Sequence, residues 1–288
     1  MPHLPIHQEK CLYVVATPIG NLEDITFRAI KTLKEVNLIA AEDTRHTSKL
    51  LRFYQIKTPL ISYHEYNEER RTPELIRKIN AGSVIALVSD AGTPTVSDPG
   101  FRLIKEAIAN GIKVIPIPGV SAPIAALSAA GIPTDRFIFI GFPHSKRQKR
   151  HKQLNLLAEE KATSVFYISP KRLLSFLDEL SDSWGDRYVV LGREMTKLHE
   201  EFVRGLISRV VTTLKQRDTI RGECTLLVSG FKQDNTAVMN EVRDEIKNEL
   251  ACSDAKLSHI SKKIARQYSI SRNEVYATAL ELKRNQLK

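Results

Sequence analysis

Residues Val84 to Gly100 read VIALVSDAGTPTVSDPG. An apolar, β-branched run stops at Val88 and gives way to a turn containing Ser89, Asp90, Gly92 and Pro94. A run of that length between turn formers reads as a strand buried on both faces, as in a parallel sheet covered by helices. The pattern repeats outward. Leu12 to Ala16, Leu38 to Ala41 and Val114 to Ile117 read as further strands. Thr26 can cap a helix whose inner face carries Phe27, Ile30, Leu33 and Val36, and helical stretches cover Pro73 to Ala81 and Pro99 to Asn110. Strands alternating with helices predict βαβ units and a largely parallel sheet.

Beyond Ile117 the pattern changes. Pro118 and Gly119 break the strand, and Ser121 is placed to cap an Ala-rich helix with Pro123 in its first turn. Four more strands are expected at Phe137–Ile140, Ser164–Ile168, Tyr188–Leu191 and Cys224–Val228. The polar stretch Phe231 to Thr236 reads as a linker. From Lys256 to Lys288 there are eight Lys/Arg against two Glu. Leu257, Ile260, Ile264 and Tyr268 share one helix face, Ile270 marks a turn, and Val275, Ala279 and Leu282 share another; together they resemble a helix-turn-helix or a small helical cap. The expected organisation is α/β, with domains at 11–118 and 119–232 and a basic helical tail at 238–288.

The 288 residues carry 43 Lys+Arg against 33 Asp+Glu, a net charge of +10. That surplus favours a polyanionic partner, RNA before membrane. Cys11, Cys224 and Cys252 form no C-x-x-C pair, so neither a disulfide framework nor a structural zinc site is expected and no metal is assigned. The opening MPHLPIHQEK has no signal-peptide core, and no run reaches the roughly 18–20 apolar residues of a membrane span, so a cytoplasmic protein is expected. The turn after the first strand, ATPIGN, is not G-x-G-x-x-G, and neither a P-loop nor a G-x-S-x-G elbow occurs.

Three strand-end loops carry the chemistry: Thr17 to Asp24, Ser89 to Gly100, and Pro116 to Pro123. In open α/β sheets ligands bind beyond the carboxyl ends of strands, so the three can converge on one crevice. Glycines there admit close backbone approach. Asp90 offers an acceptor, and the neighbourhood of Ser121 offers free amides at a helix start. With apolar walls at Ile19 and Val120, the set suits a ligand bearing an amine, a carboxylate and an aromatic base.

The segments TPIGNLEDITFRA (Thr17–Ala29), AEDTRHTSKLL (Ala41–Leu51), ALVSDAGTPTVSDPG (Ala86–Gly100) and PIPGVSAPIAALSAAGIPTDRF (Pro116–Phe137) resemble the ribosomal small-subunit RNA methyltransferase I family of the tetrapyrrole methylase superfamily. FYISPKRL (Phe166–Leu173), REMTKLHEE (Arg193–Glu201) and RGECTLLVSG (Arg221–Gly230) extend the likeness. The resemblance implies two α/β domains of the tetrapyrrole methylase type with a cofactor cleft between them. It implies S-adenosylmethionine-dependent methylation of the ribose 2′-oxygen of a cytidine in the decoding region of 16S rRNA, and commonly a homodimer. By motif, Ile19 and Gly20, Asp90 and Thr93, Ser121 and Ala122, Ile168, and Thr225 fall at cofactor-binding positions. Ile168 and Lys171 stand where the family commonly has Glu and His, Val120 where it has Pro, and Gly141-Phe142-Pro143 where it reads GFLP.

A ribose hydroxyl is a poor nucleophile, so a nearby base helps. Glu42 or Asp43 is expected in that role, with Arg45 steadying a phosphate; Glu194 and Lys197 form a second candidate set. The run His144–Lys152, HSKRQKRHK, carries five Lys/Arg and no acid, so Lys146, Arg147, Lys149 and Arg150 are expected on RNA phosphates, aided by Arg172. The alternatives are a tetrapyrrole (precorrin-type) methyltransferase and a non-enzymatic nucleic-acid-binding protein.

Overall fold

The computed structural model describes residues 10–231, 236–252, 256–268 and 270–286. The chain divides between Phe231 and Lys232 into a large unit and a helical one. The large unit holds two five-stranded sheets.

The first sheet contains β1 (Cys11–Val15), β2 (Leu38–Ala41), β3 (Leu60–Ser62), β4 (Ile85–Val88) and β5 (Lys113–Ile117). Their order is β3-β2-β4-β1-β5, and every pairing is parallel. Side chains alternate across it, as strand geometry requires. Tyr13, Val15, Ile39, Ala86 and Val88 face α1 (Phe27–Glu35) and α2 (Thr44–Phe53). Leu12, Ala40, Ile85 and Leu87 face α3 (Glu68–Asn80) and α4 (Phe101–Ala109).

The second sheet contains β6 (Phe137–Gly141), β7 (Thr163–Ile168), β8 (Tyr188–Arg193), β9 (Glu201–Leu206) and β10 (Cys224–Val228), ordered β6-β7-β10-β8-β9. Only β6 and β7 pair in parallel; the other three pairings are antiparallel. The expectation of parallel order, read from the strands up to Ile117, holds for the first sheet; the second, for which no strand direction was read, is mainly antiparallel. Phe166, Leu191 and Leu226 pack under α7 (Pro170–Trp184) and α8 (Ile207–Lys215), with Leu154 of α6 (Arg147–Leu156). Val165, Val190 and Leu227 face α5 (Ala122–Ala130), where Ile19 from the first sheet's leading loop joins the same cluster. That shared core ties the two sheets together. The expected boundary at residue 118 falls between β5 and α5.

Three local expectations are corrected. Thr26 does cap α1, its Oγ1 accepting from the Ala29 amide at 3.1 Å. Phe27, however, is 94% exposed. At about 100° per residue, it lies opposite the buried stripe of Ala29, Thr32, Leu33 and Val36. Helix α3 begins five residues before Pro73 and carries that proline inside it. Ser121 occupies the N-cap of α5 but makes no side-chain capping bond; it lines a cavity instead. Strands β3 and β9 were not expected.

The helical unit comprises α9 (Thr236–Cys252), α10 (Leu257–Gln267) and α11 (Arg272–Gln286). Val242, Ile246, Ile260, Ile264, Val275 and Ala279 form its own core, with Leu257, Tyr268, Ile270 and Leu282 against it. The expected pair of helices is thus joined by a third, and its apolar faces meet each other. Most of the expected linker, residues 232–235, lies outside the described residues.

Candidate active site

The three loops are laced into one floor. Thr17 N donates to Gly92 O at 2.8 Å and Gly92 N returns a bond to Thr17 O at 3.0 Å. Thr17 Oγ1 donates to Ser89 O at 3.1 Å, and Thr93 Oγ1 to Val120 O at 3.1 Å. Gly119 presses on Ala16 so closely that a Cβ there would lie 3.0 Å from the alanine methyl.

Above this floor opens a cavity of about 300 Å³. Seven of the eight expected cofactor positions line it: Ile19, Asp90, Thr93, Ser121, Ala122, Ile168 and Thr225. Gly20 does not. It packs beneath the 196–197 turn, where a Cβ would collide with Lys197 Cγ and lie 2.8 Å from Thr196 Oγ1. The second sheet and its loops supply Phe142, Tyr167, Met195, Glu223 and Cys224 to the lining.

Four acidic residues line this space: Glu42, Asp90 and Asp98, and Glu223, whose carboxylate is paired with Lys197. Backbone amides hold two of them: Asp90 N donates to Glu42 Oε2 at 3.3 Å, and Asp43 N donates to Asp90 Oδ1 at 2.9 Å. Burial raises the Glu42 pKa above the usual carboxylate range. Burial pushes Asp98 up to about 7, and the neighbouring Glu42 and Asp90 charges add to it. Burial also pushes the Tyr167 hydroxyl up to about 12, so it stays protonated at neutral pH.

Asp98 is the group that reading the sequence missed. Its loop includes Thr95 and Ser97 at φ of 73° and 71°, left-handed values costly for residues with a side chain. Ser97 fits only because Gly141 across the cleft has no Cβ, which would lie 2.7 Å from its Oγ. The available signal was the motif S-D-P-G itself, which reads equally well as an ordinary turn.

Asp43 points elsewhere. It caps α2, accepting the Arg45 amide at 2.8 Å, and its carboxylate pairs with the exposed Arg45 guanidinium at 2.6 Å. The Arg45 bonds hold that carboxyl well below its usual range. Glu194 and Lys197 form an ion pair at 2.8 Å, and Lys197 also meets Glu223 at 3.1 Å. The bonded Lys197 ammonium holds Glu194 below the usual range. This pair packs against the first loop, where Thr196 Oγ1 accepts from Asn21 N at 3.1 Å.

The basic run forms the start of α6. Lys146, Arg147 and Lys149 are exposed. Arg150 is not: its side chain is 14% exposed and grips Glu179 with two bonds, of 2.6 and 2.7 Å. Arg172 is exposed in the first turn of α7. Among the described residues no metal-binding group of His, Cys, Asp and Glu occurs, and no helix is long and apolar enough to cross a membrane.

Two linked α/β sheets with a cleft at their strand ends define the class, and residues 11–211 match the model of the Tetrapyrrole (Corrin/Porphyrin) Methylases. Solved structures share this fold. One is uroporphyrin-III-C-methyltransferase from Thermus thermophilus, at TM-score 0.56 and 20% identity over 81% of this chain and 98% of that one. Another is a diphthine synthase, at 0.58 and 16% over 76% and 90%. Within the class, curated relatives named ribosomal RNA small subunit methyltransferase I are far more similar. That of Synechocystis sp. is 45% identical over 274 residues, 94% of this chain and 98% of the relative. That of Halalkalibacterium halodurans is 52% identical over 219 residues, 76% and 75%. The chain belongs to the ribosomal RNA small subunit methyltransferase I family of tetrapyrrole methylases.

Proposed function

We propose that this protein uses S-adenosylmethionine to methylate the 2′-oxygen of a cytidine ribose in the decoding region of 16S rRNA. Family membership carries the coarser part: the chain is a methyltransferase of small-subunit ribosomal RNA. The observation that supports the rest is the cavity at the strand ends. Its lining fits the donor. Glu42, Asp90 and Asp98 complement a cationic sulfur and amine, the start of α5 at Ser121 and Ala122 offers amides to a carboxylate, and Ile19, Ile168 and Met195 wall an aromatic base. Bound there, S-adenosylmethionine supplies an electrophilic methyl group on a cationic sulfur.

The protein's own contribution is to bind, align and take a proton. Alignment of reacting groups supplies roughly 7–11 kcal/mol in well-oriented reactions. Asp98 is the proposed acceptor of the ribose hydroxyl proton, because a base titrating near neutral pH is best matched to that task. Glu42, beside it, keeps that carboxyl basic. Arg45, Lys146, Arg147, Lys149 and Arg172 are proposed to meet phosphates. The resemblance further supports a cytoplasmic homodimer, which sedimentation at several concentrations tests.

The test of function is labelled-methyl transfer to small ribosomal subunits followed by mapping of ribose methylation. Label at a cytidine 2′-oxygen is expected. Label on a tetrapyrrole instead of RNA defeats the reading.

A further inference from the structure

Beside the donor cavity lies a second, of about 270 Å³. Phe142, Tyr167, Ile168 and Ser169 form the wall between them and face both. The donor reading leaves the second cavity unused.

Its construction starts with Arg150. Besides gripping Glu179, that guanidinium donates from Nη1 to His144 O at 2.8 Å and Ser145 O at 3.1 Å. Its donors are thus engaged, and it acts by pinning the loop from Phe142 to Ser145. Phe142 then stands 63% exposed against Tyr167, ring centroids 5.4 Å apart. A phenyl ring held in water at the lip of a cavity adds little to a core; its free face complements another flat π system. Arg172 lines the same cavity and makes no ion pair among the described residues.

Charge separates the two cavities. The first is lined by Glu42, Asp90, Asp98 and Glu223; the second is lined by no carboxylate, by Arg150, whose charge Glu179 already pairs, and by Arg172. A nucleotide's base and ribose are joined by one bond. A ribose held at the shared wall therefore places its base in one cavity or the other, and the second is the one that does not oppose the attached phosphates.

We propose that the second cavity binds the base of the nucleotide whose ribose is methylated, with Phe142 and Tyr167 as the stacking face and Arg172, Ser145 and Ser175 as the polar edge. This rests on the RNA methyltransferase reading. It requires the target nucleotide to leave its stack, as enzymes acting on buried nucleotides demand.

The test uses the full chain without methyl donor and a small-subunit rRNA fragment spanning the mapped site, either intact or abasic at that one nucleotide. Wild type is expected to bind the intact fragment roughly 5–150-fold more tightly, the range that stacking of one base is worth. Ser175→Trp fills the cavity from an exposed position that the donor cavity does not share. It is expected to bind both fragments alike while donor affinity by calorimetry stays at the wild-type value. Phe142→Ala is expected to lose the discrimination and Phe142→Tyr to keep it. Equal wild-type binding of the two fragments overturns the proposal, as does discrimination surviving in Ser175→Trp. If wild type methylates the subunit yet shows no base dependence, this inference fails alone; if it transfers no methyl to RNA, the function itself fails.

Discussion

Asp98 carries the sharpest consequence at the scale of single residues. As a base it works ionised, so kcat/KM is expected to rise with pH through about 7. Asp98→Asn is expected to remove that limb and lower single-turnover methylation by roughly 10²–10⁴-fold. The stability effect has the opposite sign. A carboxyl whose folded pKa lies above its unfolded value binds its proton more tightly in the native state. Its ionisation therefore costs stability as pH rises from the ordinary range, about 4, to about 7. Asp98→Asn is thus expected to melt roughly 2–4 °C higher than wild type at pH 8, and not at pH 4. An unchanged pH profile excludes Asp98 as the base. Of the seven expected cofactor positions that line the cavity, five lie on or beside strand-end loops rich in Gly, Pro and Asp, which advertise themselves, whereas Ile168 and Thr225 lie in strands and were placed by the family resemblance alone. Asp98 was not readable, because its exposure to the cavity depends on Ser97 folding against Gly141, which is 44 residues away by number.

At the scale of elements, the basic start of α6 divides into two kinds of residue. Arg150→Ala breaks a half-buried bidentate pair and is expected to destabilise the fold by roughly 1–3 kcal/mol. Lys146→Ala, Arg147→Ala and Lys149→Ala, all exposed, are expected to leave melting unchanged and each reduce the salt slope of RNA binding by about 1. Equal melting of Arg150→Ala and Lys149→Ala contradicts this division. The charge run showed that α6 is basic but not which cation is satisfied internally, since Glu179 comes from α7. Other elements escaped reading for similar reasons. Leu60–Ser62 is only three residues long. Glu201–Leu206 mixes charged and apolar residues, and its pairing with β8 supplies what its composition lacks. Phe27 was misplaced because an apolar residue at a helix start does not say which way the stripe turns.

Gly230 acts where β10 ends. A Cβ there would collide with the Lys161 carbonyl group, and backbone cannot move aside as a flexible side chain can. Gly230→Ala is expected to cost roughly 1–3 kcal/mol or more in urea unfolding.

For the whole molecule, every residue lining the donor cavity lies at or before Thr225, within the large unit. The helical unit has its own core. A chain ending at Phe231 is therefore expected to bind the donor with wild-type affinity by calorimetry; loss of binding in a folded fragment contradicts this. The parallel first sheet was legible because continuous apolar strands alternating with helices admit little else. The antiparallel second sheet was not, since strand direction there is decided by the return of β10 between β7 and β8, pairings that no local pattern encodes.

The most direct measurement is single-turnover transfer of labelled methyl to small ribosomal subunits by wild type and by Ala122→Trp, which fills the donor cavity, with the label mapped to the nucleotide. We expect one cytidine ribose to be labelled by wild type and none by the variant. Label absent from the RNA, carried on a base rather than a sugar, or transferred equally by the variant would contradict the assignment of that cavity.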